Sequence, residues 1–241
     1  MKEIIGKIRE SLVSSADENT RTGSQHYFRE KIKVHGVKTA LVGKISRDLF
    51  EEVKGKQKTE VFEICEALWQ SGYLEESFVA CNWAYMFRKQ FEPTDFEFFE
   101  RWIRLYVNNW ASCDTLCNHT IGDFVIKYPD FIEKLKEFGR TGNRWTRRAA
   151  AVSLILPARR GKFIDDLFEI ADILLTDNDD MVQKGYGWML KAASEAHQIE
   201  VFEYVMSKKD RMPRTALRYA IEKMPGELKG KAMQKERIAD K

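Results

Sequence analysis

The sequence predicts an all-α protein, because apolar residues recur at helical spacing and alternating strand patterns are scarce. In the segment 58–73 the apolar residues that share one helical face are Val61, Ile64, Cys65 and Leu68. No Asn-Gly or Asp-Gly pair marks a hairpin turn. A weak internal repeat is the third observation, and it indicates helices stacked in a regular array.

Proline and glycine mark the expected ends of the helices. Three prolines stand where helices would begin, since a missing N–H costs nothing in the first turn: Pro93, Pro129 and Pro213. Three glycines stand where helices would end: Gly72, Gly142 and Gly161. No linker rich in Pro, Gly or Ser interrupts the chain, so the sequence predicts a single domain over residues 1–241.

The internal repeat is carried by basic residues followed by small ones. The segment 144–156 overlays 180–192 at a period of about 36 residues, which aligns Arg148 with Lys184, and residues 144–151 are expected to be helical. The segment 213–224 overlays again about 31 residues later, and 75–87 fits about two periods upstream. Such a period, built from helix pairs, is typical of α-solenoids of the HEAT or armadillo kind. We therefore expect an α–α superhelix whose second helices line a concave face.

The composition is that of a folded protein of the cytoplasm. Hydrophobic residues make up 44% of the chain and charged residues 32%. The longest nearly apolar run, 149–158, is about half of the ~20 residues that a membrane helix needs. The first residues mix charged with apolar positions, unlike a signal peptide. Four cysteines are too few for a disulfide framework. We expect no membrane association.

The distribution of charge indicates a phosphate-rich partner. The net charge is only +3, but seven cations and no acid lie between Phe138 and Ile164. In the repeat interpretation, the basic residues expected on the concave face are Arg147, Arg148, Lys184, Lys191, Arg214 and Arg218. Arg144 belongs to the same basic window. Such a surface suits the backbone of a nucleic-acid duplex.

Trp110 and Asp114 form the most informative pair, because residues at i and i+4 of a helix share one face. The alternative is a packed ring beside a solvated acid. We expect Trp110 and Trp188 to face the concave side and the other four tryptophans to lie in the core. Cys113, Cys117 and His119 do not have the spacing of a zinc site, so we expect neither metal nor cofactor.

Three segments carry a resemblance to a known family: NNWASCDTLCNHTIGDFVIKYP, NRWTRRAAAVSL and MVQKGYGWMLKAAS. Together they resemble the AlkD-type DNA alkylation repair glycosylases. The segment 26–42 is similar to the opening helices of that family. The resemblance covers residues from about 20 to 225 and leaves 226–241 as a basic C-terminal tail.

The resemblance implies a fold of HEAT-like repeats and an enzyme that needs no cofactor. Members hydrolyse the N-glycosidic bond of cationic N3- or N7-alkylated purines, such as 3-methyladenine and 7-methylguanine, in double-stranded DNA, without flipping the base. By position, Asp114 matches the catalytic carboxylate, and Trp110 and Trp188 match the aromatics at the deoxyribose. Arg148 matches the arginine of the DNA groove, and Tyr27 matches a residue near the DNA. A monomer that needs no protein partner is expected.

Two other functions remain open from the sequence. A paralogue of the same fold would bind DNA structures without catalysis, using the same basic surface. A protein-interaction scaffold, a common use of solenoids, would lack affinity for DNA and would present its arginines to an acidic partner.

Overall fold

The structure, a computed structural model, describes residues 1–234, and over that range the protein consists of helices and connections without a β-strand. Extended backbone pairs there at a single bridge, between Lys33 and Tyr73. The all-α prediction is confirmed. The chain forms two compact units, residues 1–120 and the remainder from Ile121. That it is a single domain stays a prediction.

The first unit contains seven α-helices and several short 3₁₀ turns among its residues. Their bounds are α1 Lys2–Ser14, α2 Glu18–Ser24, α3 Thr39–Phe50, α4 Lys58–Gln70, α5 Leu74–Met86, α6 Phe96–Leu105 and α7 Trp110–Thr115. The second unit continues with the helices α8 Gly122–Lys127, α9 Ile132–Gly139, α10 Arg144–Val152, α11 Ile155–Arg159, α12 Ile164–Leu174, α13 Asp180–Ala193, α14 Gln198–Lys208, α15 Arg214–Ala220 and α16 Gly226–Met233.

One set of helices recurs at a nearly constant interval. These repeat helices are α3, α5, α7, α10, α13 and α15, and their first residues follow one another at intervals of 34 to 36 residues. In the first unit α3 packs on α5 and α5 on α7, and in the second α10 packs on α13 and α13 on α15. The predicted helical repeat is confirmed. The copy at α15 begins 34 residues after α13, so the sequence overlay at about 31 is wrong by a few positions.

The repeat helices α7, α10 and α13 begin in the same way. Asn109, Asn143 and Asp179 precede them, and each side chain accepts hydrogen bonds from backbone N–H groups of the first turn. A cap of this kind stabilises a helix by about 1 kcal/mol and fixes the residue at which the helix starts. The start of each of these three helices is therefore fixed by a local contact, whereas α3, α5 and α15 begin without a side-chain cap.

The expected helix over 144–151 is confirmed as α10, and the segment 144–156 ends in a second helix, α11. A turn at Ser153 and Leu154 separates α10 from α11. Pro157 explains the break, because it lacks an N–H and its ring would clash with the carbonyl four residues earlier, that of Ser153. Leu156 in α11 is half-buried, whereas Trp145 in α10 is buried.

The segment 26–42, which is similar in sequence to the opening helices of the family, is not helical over most of its length. Its backbone is irregular from Phe28 to Lys38 and becomes helical only at Thr39. Gly36 accounts for part of this path, since its φ of 94° lies in the left-handed region. A Cβ there would lie 2.7 Å from the Cβ of Arg21 and 2.9 Å from the carbonyl oxygen of Asp17.

The four tryptophans expected in the core are buried, as predicted. Trp69, Trp83, Trp102 and Trp145 are buried, whereas Trp110 and Trp188 are half-buried. In the first unit the core is aromatic, with Phe62 packed edge-on against Trp102 at 5.7 Å between ring centroids. In the second unit, α10 and α13 bury many small and aliphatic residues, beside the buried aromatics Phe124, Phe138 and Tyr186.

Part of the predicted C-terminal tail is helical, because α16 occupies Gly226–Met233. Residues 235–241 of that tail lie outside the described part of the chain.

Among residues 1–234, no helix combines the length and the apolar character that crossing a bilayer requires.

Candidate active site

Helix α7 places Trp110 and Asp114 one turn apart. Trp110 is its first residue and Asp114 its fifth, so both side chains lie on the same face, and both are half-buried. The Asn109 side chain accepts the N–H of Ser112 at 2.9 Å and fixes the start of the helix. The partly exposed carboxylate is therefore held on a rigid element beside an indole ring, as the spacing predicts.

The backbone changes geometry directly after this pair. From Leu116 to Ile121 the chain forms a π-helical turn, with Leu116 and Cys117 fully buried. Such turns are rare and occur frequently at functional sites, because the extra residue re-aims the side chains around it. Sequence reasoning missed this feature, since no spacing or residue type in the segment distinguishes a π-turn from an ordinary helical turn.

The indole ring of Trp110 is fixed by two neighbouring residues of the N-terminal region. Its Nε1–H donates to the backbone carbonyl of Tyr27 at 3.2 Å. The ring of Phe28 stacks on it, with 5.3 Å between centroids and 19° between planes. Tyr27 itself has a side chain that is 75% exposed. The structure thus brings Tyr27 to Trp110, and it adds Phe28, which sequence reasoning did not single out.

The chain that carries Tyr27 and Phe28 is attached to the start of α5. The buried carboxylate of Glu75 accepts three successive backbone N–H groups, from His35 at 2.9 Å, Gly36 at 2.8 Å and Val37 at 3.1 Å. The backbone N–H of Leu74 donates to the carbonyl of Lys33 at 2.9 Å. These bonds join the segment to the repeat helix that packs on α7.

The neighbouring carboxylate of Glu76 is fully buried and charged. Burial alone would raise its pKa, but hydrogen bonds from His35 and Arg9 outweigh that effect and hold the pKa below its usual value. Arg9 donates from Nη2 at 3.0 Å, and His35 Nε2 lies 3.1 Å from the other carboxylate oxygen. The ring of His35 stacks on Tyr73 at 3.9 Å between centroids.

In the second unit, two of the residues expected to contact DNA occupy the same position in their helices. The fifth residue of α10 is Arg148 and the fifth of α13 is Lys184, the register that Asp114 has in α7. Trp188 lies one turn beyond Lys184 on the same face of α13. The fifth residue of α15 is Arg218, which is exposed. The predicted alignment of Arg148 with Lys184 is confirmed.

Arg148 is buried rather than extended into solvent. Its side chain is 5% exposed, and its Nη1–H donates to the backbone carbonyl of Met181 in the first turn of α13. The stem lies against Gly185, where an added Cβ would be 3.3 Å from Arg148 Cγ. The guanidinium is thus held between two repeat helices and has little freedom to reorient.

Several of the cations between Phe138 and Ile164 lie against acids from other parts of the chain. Arg147 Nε lies 2.6 Å from a carboxylate oxygen of Asp177, and Arg144 Nε lies 2.8 Å from one of Asp179. The acids come from the loop before α13, about 30 residues away in sequence, so a local count of charges does not include them. Arg147 also donates to the carbonyl of Gly142 at 2.8 Å.

The remaining predicted DNA contacts differ in their surroundings. Lys184 lies 3.2 Å from Asp180 one turn earlier in α13 and is half-buried. Arg214 is the first residue of α15 and is exposed.

All four cysteines are buried free thiols. Burial raises the pKa of Cys65 and Cys81 well above the ordinary value, which makes these two thiols poor nucleophiles.

A family model described as DNA alkylation repair enzyme matches residues 8–224. The chain belongs to the DNA alkylation repair enzyme family. Membership extends over most of the chain, including both units and every residue of the candidate site. It makes alkylation repair the role of the protein and implies DNA as its substrate.

A solved structure, described as a predicted DNA alkylation repair enzyme from Enterococcus faecalis, has a similar fold. Its TM-score is 0.78 at 19% sequence identity, over 88% of this chain and 98% of that chain. At this identity the likeness shows the helical repeat fold of DNA alkylation repair enzymes and does not extend to individual residues. Comparison with curated protein sequences gives no match.

Proposed function

We propose that the protein is a monofunctional DNA glycosylase. It hydrolyses the N-glycosidic bond of cationic N3- and N7-alkylated purines, such as 3-methyladenine and 7-methylguanine, in duplex DNA and does so without flipping the base. The observation that carries the proposal is the half-buried Asp114 carboxylate, one helical turn from an indole whose edge and face are both fixed.

The chemistry of the leaving group explains why so small a site suffices. An N3- or N7-alkylated purine carries a positive charge, so it departs as a neutral base and needs no general acid. The sugar passes through a transition state that resembles an oxocarbenium ion. The Asp114 carboxylate would stabilise that developing charge and orient the attacking water. No lysine nucleophile is required, so strand cleavage does not accompany base release.

The tryptophans would act on the deoxyribose. The face of an indole ring attracts a positive charge through its quadrupole, by about 0.5–2 kcal/mol. Trp110 is presented on the same helical face as Asp114, so its ring and the carboxylate would meet the same nucleotide. Trp188 is half-buried in the second unit and is the other aromatic residue proposed to contact the sugar.

The basic residues would bind phosphates without reading sequence. Arg148 is pre-positioned by its bond to Met181, and Arg214 is exposed at the start of α15. Lys184, Arg144 and Arg147 are proposed as further contacts, although each also lies beside an aspartate. Tyr27 would contact the DNA through its exposed side chain.

The proposal is tested by measuring base release from a duplex that contains one 7-methylguanine. We expect Asp114→Asn to lower the single-turnover rate by about 10²–10³-fold, since it removes the charge that stabilises the transition state. The matched control is Asp210→Asn, an exposed aspartate in the turn after α14, which changes the net charge equally and should retain the wild-type rate.

Equal release by the wild type and Asp114→Asn would refute the glycosylase proposal. If the duplex is bound tightly without release above that of the variant, the protein is instead a DNA-structure-binding paralogue. Strand breaks that appear without alkali would refute the monofunctional mechanism.

A further inference from the structure

We infer that Phe28 is a positioning residue that sets the orientation of Trp110 for the substrate sugar. The inference rests on the proposed function, in which the Trp110 ring contacts deoxyribose. Phe28 lies 82 positions from Trp110 in sequence, yet its ring stacks on the indole at 5.3 Å with only 19° between the planes. It would act through Trp110 and not on the reacting atoms.

Two contacts together fix the indole. The hydrogen bond from Nε1 to the Tyr27 carbonyl holds the edge of the ring, and the Phe28 ring covers one of its faces. Either contact alone would leave the indole ring free to move in one way. With only the hydrogen bond the ring could tilt, and with only the stack it could slide across the Phe28 ring. With both present, a ligand can meet Trp110 only on the opposite face.

Phe28 can fix the indole because its own segment is anchored. We call residues 25–37 the strap. At its beginning, the Gln25 side chain donates to the carbonyls of Phe28 at 3.3 Å and Glu30 at 2.8 Å. At its end, the Glu75 carboxylate accepts the N–H groups of residues 35–37. The strap is thus tied to the first turn of α5, and α5 packs on α7.

Several hydrogen bonds together hold the end of the strap at Glu75. The carboxylate is 3% exposed and has three backbone donors within 3.1 Å, and Gly36 supplies the backbone turn that lets all three point at it. Arg21 adds bonds from Nε and Nη2 to the carbonyl of His35 at 3.1 and 3.0 Å. Because the strap is hydrogen-bonded to α5, Phe28 holds the Trp110 ring in a fixed position relative to that helix.

Catalysis depends on such placement, since a displacement of about 1 Å at a positioning group can cost about 10²-fold in rate. Phe28 should therefore affect the chemical step more than DNA affinity, because phosphate contacts supply most of the binding. Loss of the ring should lower the rate at saturating protein and leave half-saturation nearly unchanged.

The first measurement is ¹⁹F NMR of protein labelled with 5-fluorotryptophan, in which Trp110→Phe assigns one of the six resonances. We expect Phe28→Ala to move the Trp110 resonance by more than its linewidth and to leave the other five in place, and Phe28→Tyr to restore it. The matched control is Phe98→Ala, which should move the resonance of Trp102, its neighbour at 6.1 Å, and not that of Trp110. An unchanged Trp110 resonance in Phe28→Ala overturns the inference.

The second measurement is single-turnover release of 7-methylguanine. Phe28→Ala should lower the saturating rate by about tenfold with half-saturation within about twofold, and Phe28→Tyr should recover most of the rate. An unchanged saturating rate, or a change confined to half-saturation, overturns the inference while the glycosylase proposal stands. If the wild type releases no base, the proposed function fails, and the ¹⁹F spectra alone decide whether Phe28 orients the ring.

Discussion

At the start of α5 the carboxylate of Glu76 is fully buried, and its charge is balanced by Arg9, whose side chain is 46% exposed, and by contact with His35. A buried charge with its partners removed is costly, whereas the intact pair contributes little net stability. A substitution that alters the charge of Glu76 should therefore change the stability of the folded protein.

We predict that Glu76→Gln lowers the free energy of unfolding by about 2 kcal/mol at pH 7. The pKa of Glu76 is lower in the folded protein than the ~4.3 expected in the unfolded chain, so its charge stabilises the fold above that value. This contribution is lost as the pH falls through the lower, folded-state pKa. Urea unfolding should show a larger difference between the two proteins at pH 7 than at pH 3.

Glu52→Gln is the control, because Glu52 pairs with Lys7 on the surface and should change stability by less than about 0.5 kcal/mol at either pH. An equal penalty for Glu76→Gln at both pH values would contradict the assignment of a charged, hydrogen-bonded carboxylate.

At the scale of elements, α13 shows how a short sequence fits one helix among its neighbours. In the run GYGW, the two glycines face different partners: Gly185 lies against Arg148 of α10, and Gly187 against α15. Tyr186 between them is buried and donates its hydroxyl to the carbonyl of Leu175 at 3.0 Å. Trp188 is left half-buried. The glycines of this run therefore serve helix packing.

Gly187→Ala should destabilise the protein, although alanine is the better helix former. Its Cβ would lie 2.6 Å from the Cβ of Tyr219 and 2.8 Å from the carbonyl oxygen of Ala216, and neither atom can move without displacing α15. Overpacking of this kind costs about 1–3 kcal/mol. The free energy of unfolding, measured in urea, tests the value.

The matched control is Gly6→Ala in α1, where nothing lies within 4 Å of the added Cβ. That change should stabilise the protein by up to about 1 kcal/mol. If Gly187→Ala were as stabilising as Gly6→Ala, the close approach of α13 and α15 would be wrong.

At the scale of the whole molecule, the distribution of charge matters more than its sum. The net charge is +3, and Arg144 and Arg147 already lie against aspartates. We therefore expect DNA binding to depend on exposed cations such as Arg214, and on how many phosphates the protein contacts.

We predict that the logarithm of the DNA association constant falls with the logarithm of salt concentration with a slope of about −4 to −5, as for about five phosphate contacts. Arg214→Ala should weaken binding and make the slope shallower by about one unit. Lys134→Ala removes one charge from α9, where Lys134 pairs with Glu137, and should leave the slope unchanged. Binding that is insensitive to salt would contradict every DNA-binding function.

Much of the candidate site could be derived from the sequence. The pairing of Trp110 with Asp114 and the shared register of Arg148 and Lys184 follow from helical spacing and from polar residues that start the helices. The roles of these residues came from resemblance, because periodicity places a residue on a face without assigning it a reaction. Neither helical spacing nor the resemblance pointed to Phe28, since a stack between residues so far apart in sequence leaves no periodic pattern.

The sequence by itself determined the all-α class, the repeat of about 35 residues, and the burial of four tryptophans. These properties depend on local contacts within a few residues, which spacing records. Only the tertiary structure decided that the strap orients Trp110, that α7 passes into a π-helical turn, and that Asp177 and Asp179 lie against the arginines. The stack and the ion pairs join segments distant along the chain, and the π-turn leaves no mark in residue spacing, so all three became visible only once the helices were packed.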